Sequence, residues 1–212
     1  MSLNSKNIKI AKAGFEYKCL FVLVDGFRLM KAANKYAIDW EEEQITAQLI
    51  DFIELSQSRN KWKIHIKPEI RMYNLEIIKG RIVPKKARKI DMQMLSWQTE
   101  AENVYHIEAK NLCESDWTKG SGASVSSSYQ LNRYINSGIS NFFSGFYPSN
   151  GCVCGYILKG TIDNIISKLN TILANKSLNQ LQVSRRINGH SMIYKIRYDD
   201  NELINIFFYY QQ

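Results

Sequence analysis

The chain has 212 residues, 45% hydrophobic, 12% aromatic and 23% charged, with 3 prolines, a globular composition that excludes a linker-rich or disordered protein. Its length suits one domain with a sizeable core, or a domain with an appended arm. Lys and Arg outnumber Asp and Glu by 28 to 20, a formal charge of +8, and such a field attracts polyanions, nucleic acid first, although solubility or an acidic protein partner accounts for the same excess.

In chain order, the start from Met1 to Lys12 is polar and basic. Glu16, Lys18, Asp25 and Arg28 break the apolar run that follows, so neither a signal peptide nor a membrane span of roughly 20 apolar residues is expected. Tyr17 to Val24 reads as a strand and Gly26 to Tyr36 as a helix. Asp39 is a candidate N-cap with Glu42 three residues on, a capping box, and Ile45, Leu49, Phe52 and Ile53 then recur at helical spacing until Ser56 to Asn60. Trp62 to Lys67 alternates as a strand, and Pro68, which cannot donate to a ladder, is expected to interrupt it. Glu69 to Ile78 continues that strand or pairs back on it.

A basic run, Lys79, Arg81, Lys85, Lys86, Arg88 and Lys89, leads into a strand over Lys89 to Trp97, and Val104 to Leu112 forms the next. Asp116 to Ser128 is a serine-rich surface loop. Tyr129 to Phe143 has helical spacing, Cys152 to Leu158 is a compact apolar strand, and Ile162 to Leu173 is a helix. Ser191 to Arg197 and Leu203 to Tyr210 read as terminal strands. The first strands fit an antiparallel meander, and the helix between Val104–Leu112 and Cys152–Leu158 favours a parallel crossover. The fold class is therefore α/β, a mixed central sheet flanked by helices. Four cysteines (Cys19, Cys113, Cys152, Cys154) and three histidines (His65, His106, His190) show no structural-zinc spacing. Reduced thiols in a cytoplasmic protein are the plain expectation.

The chemistry sits on the two central strands. Side chains alternate along a strand, so Glu108 and Lys110 project from one face, with His106, and Asp91, Gln93 and Leu95 share a face against Ile90, Met92 and Met94. A hairpin centred between Thr99 and Glu100 puts Asp91 opposite Glu108, at the roughly 4.5–5.5 Å of cross-strand neighbours. Two carboxylates at that distance need a proton or a cation between them. Oxygen ligands favour a hard ion, Mg²⁺ first with Mn²⁺ as the alternative. Lys110 beside them suits the stabilisation of phosphoryl oxygens.

The residues Lys89-Ile90-Asp91 and Tyr105-His106-Ile107-Glu108-Ala109-Lys110-Asn111 resemble the motif of the PD-(D/E)xK, or restriction-endonuclease-like, nuclease superfamily. Gln130, Arg133-Tyr134 and Gly155-Tyr156 look like its small standalone members. The proline of the family's name is absent, since Ile90 precedes Asp91. The resemblance implies an α-β-β-β-α-β core over about 39–158, within one nuclease-like domain carrying an N-terminal addition (1–38) and a C-terminal helix and strands (159–212). It implies Asp91 and Glu108 as metal ligands, Lys110 as the catalytic lysine, and Glu42 or Glu43 as an auxiliary acid, with Gln130 beside them. Lys85, Lys86, Arg88, Lys89 and Arg133 are the candidate nucleic-acid contacts. The expected activity is Mg²⁺-dependent hydrolysis of phosphodiesters, in DNA first, with a role in restriction or defence and a homodimer both left open. A catalytically inactive nucleic-acid binder of the same fold is the alternative, and a partner of acidic proteins a third reading. The aromatics of Phe142 to Tyr147 and Phe207 to Tyr210 suit base stacking or the core.

Overall fold

A computed structural model describes residues 5–73, 75–81, 83–97, 103–184 and 187–210. Helix α1 (Ser5–Ala32) precedes α2 (Glu42–Glu54) and the short α3 (Gln57–Lys61). Strand β1 (His65–Met72), the short helix α4 (Leu75–Ile78), β2 (Arg88–Ser96) and β3 (Asn103–Cys113) follow. A small hairpin of β4 (Trp117–Thr118) and β5 (Ser124–Val125) leads into α5 (Ser127–Arg133), a π-helical stretch (Tyr134–Ile139) and α6 (Ser140–Phe143). Then come β6 (Gly151–Lys159), α7 (Ile162–Asn175), β7 (Gln182–Val183), β8 (Ile193–Tyr198) and β9 (Asn201–Tyr209).

Seven strands form one mixed sheet in the order β1-β2-β3-β6-β9-β8-β7. β1, β2 and β3 are an antiparallel meander, and β6 lies parallel to both β3 and β9. The expected meander and the expected parallel pairing of the two strands joined by a helix are both present. The C-terminal strands extend the same sheet, β8 pairing antiparallel with β9. One face is packed by α1 and α2 on Met92, Met94, Ile107, Ala109, Cys152 and Cys154. The other is packed by the α5–α6 segment and α7 on Leu112, Val153, Ile157 and Phe207.

Four expectations are corrected. Tyr17 to Val24 is helical, inside the 28-residue α1. Cys19, Leu20, Val22, Leu23 and Val24 are all buried there, because α2 covers one side of α1 and the sheet another, and burial on two sides erases the 3.6-residue pattern. The approach of α1 to α2 depends on Gly26, where an added Cβ would stand 3.1 Å from the N and Cα of Ile53 and closer still to its Cγ1. Gly26→Ala is therefore expected to cost about 1–3 kcal/mol, read as a lower urea midpoint at unchanged m-value.

Pro68 does not end its strand. β1 runs through it, with Pro68 opposite Met92, because β1 is the sheet edge and a proline there leaves only an outward position without a donor. Residues after Met72 leave the sheet and form α4 rather than a longer strand. Asp39 is not the cap of α2: Glu41 is, its amide donating to Gln44 Oε1 at 2.9 Å. Asp39 Oδ2 instead accepts from Gly120 N at 3.0 Å, and Glu41 pairs with Lys119 at 2.6 Å. The loop after β4 recruits both acids, which leaves Glu42 free of any capping duty.

Among the described residues no helix is long and apolar enough to cross a membrane. All four cysteines are free and buried. Phe207, Phe208 and Tyr210 belong to the core, Phe208 stacking on Phe27 at 4.5 Å.

Candidate active site

The β2–β3 ladder pairs Met92 with Ile107 and Gln93 with His106, the register expected from a turn centred between Thr99 and Glu100, residues that lie outside the described ones. The last ladder pair is Met92 with Ile107. Just beyond it, Asp91 Oδ2 accepts the Ala109 amide at 2.6 Å, so a side chain takes the place of a strand carbonyl where the ladder stops. Strict alternation fails at the same point: Ile90 packs in the cluster under the α5–α6 segment, whereas Met92 and Met94 pack in the opposite one. The expectation that these three share a face is corrected, and the reason is the local break that turns Asp91 toward β3.

Lys110 is the hub. Its Nζ lies 2.6 Å from Glu108 Oε1, 3.2 Å from Glu42 Oε1 and 3.7 Å from Asp91 Oδ2, and it donates to the Ala109 carbonyl at 2.5 Å. The side chains of Lys110, Glu42 and Glu108 are 5–7% exposed and that of Asp91 24%. Glu42 enters from α2 and is fully engaged: its Oε1 also meets Arg133 at 3.1 Å, and its Oε2 accepts the Asn111 amide at 3.0 Å. Glu43, the other auxiliary candidate, is exposed on α2.

Burial pushes the Glu108 carboxyl up to about 7; Lys110 opposes the shift, and Asp91 and Glu42 add to it. Asp91 is also raised, chiefly by burial against the pull of Lys110 and the Ala109 amide. Burial alone would lower Lys110, but Glu108, Glu42 and Asp91 together carry it above its ordinary value. Lys110 is therefore a fixed cation and hydrogen-bond donor rather than a ready base. Three acids face one ammonium and one guanidinium, and Glu108 Oε2 is buried with no hydrogen-bond partner among the described residues. The charge deficit and this orphaned oxygen are what a further cation would relieve. Against that, no group of three or more His, Cys, Asp or Glu stands in a metal-holding arrangement among the described residues, since Lys110 occupies the middle of the cluster.

Glu108 and Lys110 open into a cleft of about 650 Å³, whose other charged lining residues are Arg88, Lys89 and Arg133. Four cations thus face one carboxylate. Lys85 and Lys86 sit in an exposed turn before β2 and do not line the cleft. Lys89 is paired with Glu69 at 2.7 Å. Gln130 does not line the cleft, and its Oε1 is buried without a hydrogen-bond partner among the described residues. His106 stays with Gln93, ring Nε2 to amide Nε2 at 3.1 Å, and takes no part in the cluster.

The sequence reading missed the far wall. Asn132, Asn136, Ser137 and Asn141 line it from the α5–α6 segment, and Tyr147 from the loop after it. A run of asparagines at helical spacing was the available signal. The π-helical stretch lies in this wall, a feature frequent at functional sites. Its Gly138 lets the wall close on β3 and β6, since an added Cβ would meet Val153 Cγ1 at 3.1 Å and Lys110 Cγ at 4.0 Å. Tyr147 donates its hydroxyl to the Lys89 carbonyl at 2.7 Å.

Comparison with known proteins gives no match to a family model, to a curated protein or to a solved structure.

Proposed function

We propose that the protein is a divalent-metal-dependent nuclease that hydrolyses phosphodiester bonds, with DNA the first substrate to test. The observation that carries this reading is the convergence of Glu42, Asp91 and Glu108 on Lys110 beside a cleft whose charged lining is four cations and one carboxylate. The order α2, β1, β2, β3, α5–α6, β6 also agrees with the core implied by the PD-(D/E)xK resemblance.

Asp91 and Glu108 are the residues that would hold Mg²⁺ or Mn²⁺, because both are raised acids of the cluster, Glu108 lines the cleft, and one Glu108 oxygen has no hydrogen-bond partner among the described residues. Such an ion, when bound, supplies a water of lowered pKa and neutralises phosphate charge. Lys110 is held cationic by its three acids and donates hydrogen bonds to the phosphoryl oxygens as charge builds on them. Glu42 positions Lys110 and ties it to Arg133, so an anion drawn to Arg133 is placed near the cluster.

Incubation with mixed DNA and RNA, with Mg²⁺, with Mn²⁺ and with chelator, tests the proposal. Cleavage is expected only with metal. Asp91→Asn and Lys110→Ala are each expected to lower it by at least about a hundredfold, the scale on which lost transition-state donors act. Cleavage that survives chelation or Asp91→Asn would sink the proposal. A second reading, a nucleic-acid binder without chemistry, is favoured by the central place of Lys110 among the acids; salt-sensitive binding without cleavage is its signature.

A further inference from the structure

The cations around the cleft are not equally free. Lys85 and Lys86 are exposed chains on a turn. Lys89 spends its ammonium on Glu69, and Arg133 spends NH2 on Glu42. Arg88 is fixed in a different way. Its guanidinium carbon stands 3.9 Å above the centre of the Phe146 ring, and its NH1 donates to Asn141 Oδ1.

The asparagine support is set by the fold. Asn141 is 4% exposed, and its Nδ2 donates to the Ser137 carbonyl one turn back, so its oxygen is turned toward Arg88. Phe146 is 45% exposed, and the guanidinium lies over its ring. Neither support is an acid, and among the described residues no carboxylate pairs with Arg88. A guanidinium has five N–H donors; one goes to Asn141, and stacking on the ring occupies a face rather than an edge.

We propose that Arg88 is a preorganised phosphate clamp, held by Phe146 and Asn141 as positioning residues, that takes a backbone diester of single- or double-stranded nucleic acid into the cleft beside Glu108 and Lys110. A planar fork matches two phosphate oxygens at once. Holding it in place before binding reduces the rotamer freedom lost on binding. Lys89, Lys110 and Arg133 in the same lining favour a polyanion, and the exposed Tyr129 in that lining gives a flat surface beside the backbone track. The clamp rests on the nuclease reading for its place in a reaction, but its binding role is separable from cleavage.

Equilibrium binding of labelled single- and double-stranded 20-nucleotide DNA, in chelator and across a salt series, is the test. Arg88→Ala is expected to weaken binding about tenfold and to make the slope of log affinity against log salt shallower by about one. Arg88→Lys keeps the slope and recovers only part of the affinity. Phe146→Ala weakens binding about threefold with the slope unchanged, and Phe146→Tyr restores it, a rescue that general loosening of the loop would not give. Wild-type binding left unchanged by Arg88→Ala overturns the clamp while leaving the nuclease reading intact. Binding lost in Arg88→Ala from a wild type that never cleaves supports the clamp and overturns the nuclease. A wild type that binds neither DNA overturns the clamp as well.

Discussion

Lys110→Met is expected to lower stability by about 3–5 kcal/mol at pH 8, the usual result of removing one partner from a buried charge cluster. The side chain is 5% exposed and lies 2.6 and 3.2 Å from two carboxylates that are themselves buried. Methionine fills similar volume, so the loss is electrostatic rather than a cavity. Glu108 and Asp91 are already raised with the ammonium in place, Glu108 to about 7; without it both rise further. A carboxyl whose folded pKa is above its unfolded value stabilises fully below the unfolded pKa and loses that contribution as pH rises through the folded one. The penalty of Lys110→Met should therefore shrink steadily from pH 8 to pH 5. Urea unfolding at both pH values measures it. A penalty independent of pH would mean that the cluster is not the source. If Asp91 and Glu108 hold a divalent ion, millimolar Mg²⁺ should restore part of the loss at pH 8 and none at pH 5.

The parts of this cluster were unequally visible in the sequence. Strand parity placed Glu108 and Lys110 together, because β3 keeps an unbroken ladder to β6 through both residues. The register was an inference from a hairpin centre that no turn signal marks, and the pairing of Met92 with Ile107 agrees with it. The entry of Glu42 was half-legible. Its position on the stripe of Ile45 and Leu49 pointed inward, but a capping box with Asp39 explained it equally well. The rivalry was decided by Lys119 and Gly120, 78 and 81 residues from their acids, a tertiary contact that no local pattern contains.

The remaining misreadings have the same origin. Val22 and Val24 favour a strand locally, yet contacts with α2 and the sheet make the segment a helix, and packing outweighs propensities worth a few tenths of a kcal/mol per residue. The break at Asp91 defeats a strict alternation, and such breaks occur where a ladder ends beside a site. The stack of Arg88 on Phe146 and its bond to Asn141, 53 residues away, join two segments whose sequences carry no mark of each other. Charge alone put Arg88 in a run with Lys85 and Lys86; only the fold separates the fixed cation from the free ones.

Glu108→Gln is expected to move stability and activity in opposite directions. Glu108 is the most shifted acid of the cluster, at about 7 against an ordinary 4.5. One pKa unit is about 1.4 kcal/mol, so its ionisation removes roughly 3 kcal/mol of wild-type stability between pH 4.5 and 7. Glutamine has the same shape and no charge, and its oxygen can still accept from Lys110. The variant should match the wild type near pH 4.5 and exceed it by an amount growing toward that value at pH 8. The readout is the difference between the two unfolding curves at each pH, in which the other titrating groups cancel. Metal-dependent cleavage should be lost at the same time, because a neutral amide is a poor ligand for a hard divalent ion. The Mg²⁺-induced rise in melting temperature of the wild type at pH 8 should be lost with it. A site that holds an unfavourable carboxylate buried at neutral pH keeps it at the expense of the fold, and function is the ordinary reason for such retention. A Glu108→Gln variant less stable than the wild type at pH 8 would instead make Glu108 a plain structural partner of Lys110, and would remove the main electrostatic support for a metal at this cluster.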